Sequence, residues 1–161
     1  MAERILDIET IARIGLMFLD GDALREVLVD PLTSDDDDTD YNAGHFNALK
    51  KALMKIERFD PDRYITGVLW QWHHINRKLA IPAVAGKALP ATGWRAVPCT
   101  QELYDCMTKR IPTSRDAGEN RVSYFYPILS SASEVVGALE LVDGGERGLF
   151  EERLFTCDPI N

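Results

Sequence analysis

The chain has 161 residues, 45% of them apolar, and a formal charge of -8 from 26 acidic and 18 basic residues. That length suits one domain with a proper core, and the acidic excess would repel a phosphate backbone unless basic groups gathered on one face, which argues against nucleic-acid binding. No apolar segment approaches the roughly 20 residues of a membrane helix, no signal-peptide pattern opens the chain, and the three cysteines, Cys99, Cys106 and Cys157, are too widely spaced for a metal knuckle and odd in number for a disulfide framework. The expectation is a cytoplasmic protein with buried thiols and no membrane insertion.

From Asp7 to Val29 the residues Ile8, Ile11, Ile14 and Phe18 fall three or four apart, the mark of one helical face. Asp20-Gly21-Asp22 interrupts, and Leu24, Val27 and Leu28 resume the pattern, so two N-terminal helices are expected within 5–30. An acidic run, Ser34-Asp35-Asp36-Asp37-Asp38-Thr39-Asp40, has no apolar residue and repels itself, which predicts a solvated loop over 31–42. It lacks the calcium-loop pattern, because counting from Asp36 puts Tyr41 and Asn47 where that pattern needs glycine and glutamate.

Asp40 or Asn42 would cap a helix to Phe59 that carries Phe46, Leu49, Leu53 and Ile56 on one face and Lys50, Lys51, Lys55 and Glu57 on the other. Tyr64 to Trp72 is rich in β-branched and aromatic residues and reads as a strand. His73 to Lys78 turns the chain into a partner strand over Leu79 to Val84, where Pro82 implies an edge or a bulge. Lys87 to Pro98 is mostly loop, with a short strand at Trp94 to Val97. Thr100 caps a short helix with Leu103, Cys106 and Met107 on one face, and Pro112 stops it. Thr113 to Asn120 reads as a polar loop, Arg121 to Leu129 and Val135 to Val142 as a hairpin, and Glu146 to Phe155 as a last short helix.

Hairpins outnumber crossover helices, so the fold class is α+β, with a central antiparallel sheet of about five or six strands and helices packed on one face. The pattern Tyr126-Pro127-Ile128-Leu129, a polar turn, then Val135-Val136-Gly137-Ala138-Leu139-Glu140-Leu141 resembles the last two strands of a GAF domain. The upstream order of elements is similar to GAF topology as well. The resemblance covers roughly residues 5 to 156 and implies a single GAF-like domain over 1–161, with its sheet-and-helix core at 43–156; PAS-like and profilin-like sheets are the alternatives. It further implies a regulatory module of a bacterial signalling protein that senses a small molecule, works as a homodimer and sits beside a fused or associated output domain. The other use of such a fold is a ligand-free interaction or dimerisation module.

Catalytic chemistry is hard to find in the letters. His73 and His74 fall in a turn and His45 at a helix start, and neither a phosphate-cradling glycine loop nor a metal-ligand spacing is present. Bilin attachment in GAF domains uses a cysteine followed by histidine, yet Thr100, Met107 and Asp158 follow the three cysteines here. No enzyme or metal is therefore expected, and the sequence identifies no cofactor. What remains is aromatic. Trp70 and Trp72 share one side of their strand, as do Tyr124 and Tyr126 on theirs. If both pairs face the helices, with Trp94 and Tyr104 nearby, the six would line a pocket for a planar ligand, and Arg95, Lys109 and Arg110 would stand ready for its phosphate. The plainer possibility is that these rings are core or a dimer face.

Overall fold

The computed structural model describes residues 7–27, 43–73, 75–87 and 95–144. The acidic run, Trp94, His74, Cys157 and the expected last helix lie outside the described residues. The first helix, α1 (Ile8–Phe18), begins at Asp7, whose carboxylate accepts from the Thr10 N–H at 2.7 Å. Asp20 does the same for α2 (Gly21–Glu26), so the expected break is a cap between two helices. α3 (Ala43–Glu57) lays Leu49, Leu53 and Ile56 into the core.

Among the described residues the sheet has six strands in the order β3-β2-β1-β6-β5-β4, every neighbouring pair antiparallel. They are β1 (Ile65–Trp72), β2 (Leu79–Ala85), β3 (Val97–Pro98), β4 (Thr113–Gly118), β5 (Arg121–Leu129) and β6 (Val135–Gly144), with α4 (Gln101–Lys109) between β3 and β4. β1 joins β6 through Ile65↔Asp143 to Trp70↔Ala138, which places the hairpin of Tyr124 to Gly144 at the centre of the sheet. Pro82 lies beyond the two residues of β2 that pair with β3, beside a register shift opposite Leu69/Trp70, so it is both on an edge and at a bulge.

The α+β antiparallel architecture is as expected, and the helices divide between its faces. α1, α2 and α3 pack on one side over Ile65, Leu69, Tyr126, Leu139 and Leu141. α4 covers the other, where Leu103, Cys106 and Met107 meet Val68, Trp70, Phe125, Ala138 and Val142. Each strand of the central pair is apolar on both faces because both are covered, which is why β1 reads as a nearly continuous apolar run.

Two local expectations change. Thr113 to Gly118 is an edge strand and not a loop: its residues alternate between half-buried and exposed, and Glu119 and Asn120 turn it into β5 with φ of 55° and 63°. Its polar composition hid it, because an edge strand with one solvated face needs few apolar residues. Glu57, expected on the wet face of α3, is 3% exposed; its carboxylate accepts from the Gly67 N–H at 2.8 Å and the Lys87 N–H at 3.0 Å. Burial pushes its pKa up while those bonds hold it down. The carboxylate thereby ties the end of α3 to β1 and to the end of β2.

Candidate functional site

The aromatic residues picked out by alternation separate onto the two faces. Trp70, Trp72 and Tyr104 lie on the α4 side, Tyr124 and Tyr126 on the side of α1, and Trp94 is outside the described residues. One pocket lined by both pairs is therefore not what the fold builds. The period of two puts members of a pair together but cannot relate two strands until their register is known, and β6 lies between β1 and β5.

Trp70 is fully buried and serves the core. Its indole N–H donates to Glu140 Oε1 at 2.8 Å, and the Ser123 hydroxyl donates to the same carboxylate. Glu140 is 5% exposed, and burial pushes its pKa up to about 7 against the opposing pull of those two donors and of Arg115. Glu140 was read only as a letter in a strand pattern. An acid among seven apolar or small neighbours was the available signal, since a lone carboxylate on a central strand must find donors or hold its proton.

Trp72, two residues on, is half-buried at the end of β1 and opens onto a cavity of about 520 Å³. Tyr104 meets the Trp72 ring edge-on at 5.8 Å between centroids, and the Arg77 guanidinium sits 5.7 Å from the same ring. Met107, Thr108 and Arg110 from the end of α4 form a second wall, and Ser133, Glu134 and Val135 from the β5–β6 turn a third. Arg110 holds a left-handed backbone, φ 60°, and its guanidinium donates to the Ser133 carbonyl. Of the three cations considered from sequence, Arg110 lines this cavity, Lys109 pairs with Asp105 at 3.6 Å, and Arg95 is exposed. Arg77 was missed, because it stands in a turn whose geometry the sequence does not show. His73 shapes that turn: its Nδ1 accepts from the Ile75 and Asn76 N–H groups at 3.3 and 3.2 Å.

The cavity is mechanically joined to the N-terminal helices. Gln71, next to Trp72 but facing the other way, donates to the carbonyls of Leu24 and of Val27, the latter at 2.7 Å. On the β5–β6 turn, the Ser131 N–H donates to Asp22 Oδ1 at 3.1 Å. Gly21 lies so close that a Cβ there would stand 2.1 Å from the Leu129 carbonyl oxygen. Gln71, the chain neighbour of Trp72, and Ser131, two residues before Ser133, thus tie the surroundings of the cavity to α2.

The second aromatic pair borders a different recess, of about 480 Å³, between the start of α1 and strands β4 and β5. Among the described residues no group of three or more His, Cys, Asp or Glu side chains has metal-binding geometry, and no helix is long and apolar enough to cross a membrane. Cys99 and Cys106 are buried, and burial pushes both thiols up to about 12.

The molecule is thus an α+β domain with a six-stranded antiparallel sheet covered on both faces and a half-open cavity at one end of the sheet. Among solved structures it is similar to one described as "Structure of the GAF domain", at 13% identity and a TM-score of 0.48, covering 96% of this chain and 88% of that one. No protein-family model and no curated protein matches the chain.

Proposed function

We propose that this is a regulatory domain that binds a small, planar, anionic molecule non-covalently at Trp72 and passes its occupancy to α2. The observation that carries the reading is the half-buried Trp72 ring, set between Tyr104 and Arg77 at the mouth of a cavity that also holds Arg110. An aromatic face offers stacking to any flat ligand, and two guanidiniums offer paired donors to a carboxylate or phosphate. A ligand gripping the β5–β6 turn and the end of β1 acts on the two places where Gln71 and Asp22 hold α2. Relay toward an output domain and assembly as a homodimer belong to the same proposal, as does a bacterial signalling setting. The buried, strongly protonated state of Cys99 and Cys106 supports a regulatory use over a thiol-based catalytic one.

Native mass spectrometry of the freshly purified protein, beside its denatured spectrum, tests this. A co-purified small molecule that leaves on denaturation, and whose occupancy falls in both Trp72→Leu and Arg77→Gln, is the expected result. A ligand-free protein whose melting temperature rises with its own concentration and does not respond to a nucleotide panel would replace the sensor with an interaction module of the same fold.

A further inference from the structure

The turn that brings Arg77 to the cavity is fastened at its start by a titratable acceptor. His73 is half-buried just past β1, and its Nδ1 accepts from the Ile75 N–H at 3.3 Å and from the Asn76 N–H at 3.2 Å. Among the described residues these two N–H groups have no other acceptor. The rest of the turn is held by groups that do not titrate. The Lys78 N–H donates to Asn76 Oδ1 at 3.0 Å, the Leu79 N–H to the Asn76 carbonyl at 3.0 Å, and the Cys99 N–H of the neighbouring segment to the Lys78 carbonyl at 2.8 Å. Arg77 follows the two residues that depend on His73, and its guanidinium sits 5.7 Å from the Trp72 ring.

We propose that His73 is a pH-operated latch for Arg77: the neutral ring pins Ile75 and Asn76 and so sets the guanidinium against Trp72, and the protonated ring lets them go. A neutral imidazole keeps one nitrogen lone pair, whereas in the protonated ring both nitrogens carry hydrogen, and Nδ1 would then point an N–H at two N–H donors. An imidazole makes that change between about pH 5 and 8. The latch is therefore closed at the alkaline end and opens as pH falls. Ile75 is 80% exposed, so the released N–H groups reach water at little cost. The strands stay paired meanwhile, because the His73 N–H still donates to the Leu79 carbonyl at 3.0 Å. The charges around the ring are Arg77 and Lys78 in the turn, Arg25 and Glu26 at the end of α2, which Gln71 holds to the same strand end, and Arg110 and Glu134 across the cavity; β3 carries none. The consequence for binding rests on reading the Trp72 cavity as an anion site: in acid the ligand loses one of its two guanidiniums.

NMR of the labelled protein between about pH 5 and 8 tests the latch without any ligand. The Ile75 and Asn76 amides and the Trp72 ring should shift together, with the midpoint of the His73 imidazole. In His73→Asn the side-chain oxygen accepts from the same N–H groups and does not titrate, so these shifts should stay flat; His74, next in sequence, is present in both proteins. His73→Ala should show the open turn throughout. Benzenesulfonate, a planar anion whose charge is constant over this range, then reads the consequence: it should bind about fivefold more weakly at the acid end in the natural chain, the worth of about one hydrogen bond, and equally at both ends in His73→Asn. Amides indifferent to the His73 titration, or the full response persisting in His73→Asn, would overturn the latch. Failure of benzenesulfonate to bind at either end would count against the anion site, and the amide shifts would still decide the latch.

Discussion

Replacing Glu140 by Gln should make the protein more stable at neutral pH, and the reason can be followed through the titration. Glu140 sits on the central strand β6 with Trp70 and Ser123 as donors, and its pKa rises from 4.5 to about 7 because burial penalises the charge more than the donors help it. The folded state therefore holds a proton that the unfolded chain has released. Below about pH 4.5 both states are protonated and the group has no cost; as pH climbs from 4.5 to about 7 the fold loses stability, and above that the loss is complete. At about 1.4 kcal/mol for each pH unit, the loss comes to about 3 kcal/mol. Gln is neutral throughout, its Oε1 can still accept from the Trp70 indole, and the Ser123 hydroxyl can rotate to accept from the new amide. Urea unfolding of the natural chain and of Glu140→Gln, followed at half-unit steps from pH 4.5 to 8, should give curves that coincide at the acid end and separate to about 3 kcal/mol in favour of Gln at pH 8. Because the difference between the two proteins is read, acids whose pKa falls on folding, such as Asp7 and Asp22, cancel. Parallel curves, or a glutamine protein less stable at pH 8, would refute the placement of a buried, proton-holding carboxylate at this position.

Gly137→Ala should cost about 3 kcal/mol or prevent folding, since its Cβ would lie 2.1 Å from the Trp70 carbonyl oxygen; chemical denaturation measures it. Thr100→Ala removes the hydroxyl that caps α4 at the Leu103 N–H and should lower stability by about 1 kcal/mol in the same assay. Thr66 is fully buried with its hydroxyl unbonded, so Thr66→Val should raise the melting temperature by a few degrees, reflecting about 1 kcal/mol. Cys99 and Cys106 should resist iodoacetamide at pH 8 in the native protein and react fully in urea, as peptide mapping would show.

What the letters disclosed follows the local physics of each segment. α1 and α2 are legible because apolar residues recur three and four apart on either side of Asp20-Gly21-Asp22, and α4 because Thr100 is a side-chain acceptor placed just before such a pattern. The central hairpin was legible because β5 and β6 are dense in apolar residues on either side of a polar turn. β4 was not, since half of its surface is wet and its turn depends on Glu119 and Asn120 adopting positive φ, which polar composition alone does not announce. Trp72 and Tyr104 were named and meet, whereas Tyr124 and Tyr126 were named with them and lie across the sheet. Pairing order is a long-range property, and no window of ten residues contains it. Arg77 and Ser133 enter the cavity from two turns that are distant in sequence and become neighbours only when β1 docks on β6.

That docking has a consequence for how the chain is made. β1 ends at Trp72 and its partner β6 begins at Val135, so about sixty residues must leave the ribosome before the β1 edge finds the strand that covers it. At about 5–20 residues per second this is an interval of several seconds, during which Ile65 to Trp72 can pair with β2 alone and offers its other edge to whatever is near. A nascent chain of this protein should accordingly engage holding chaperones between those two lengths and release them once residue 144 has emerged.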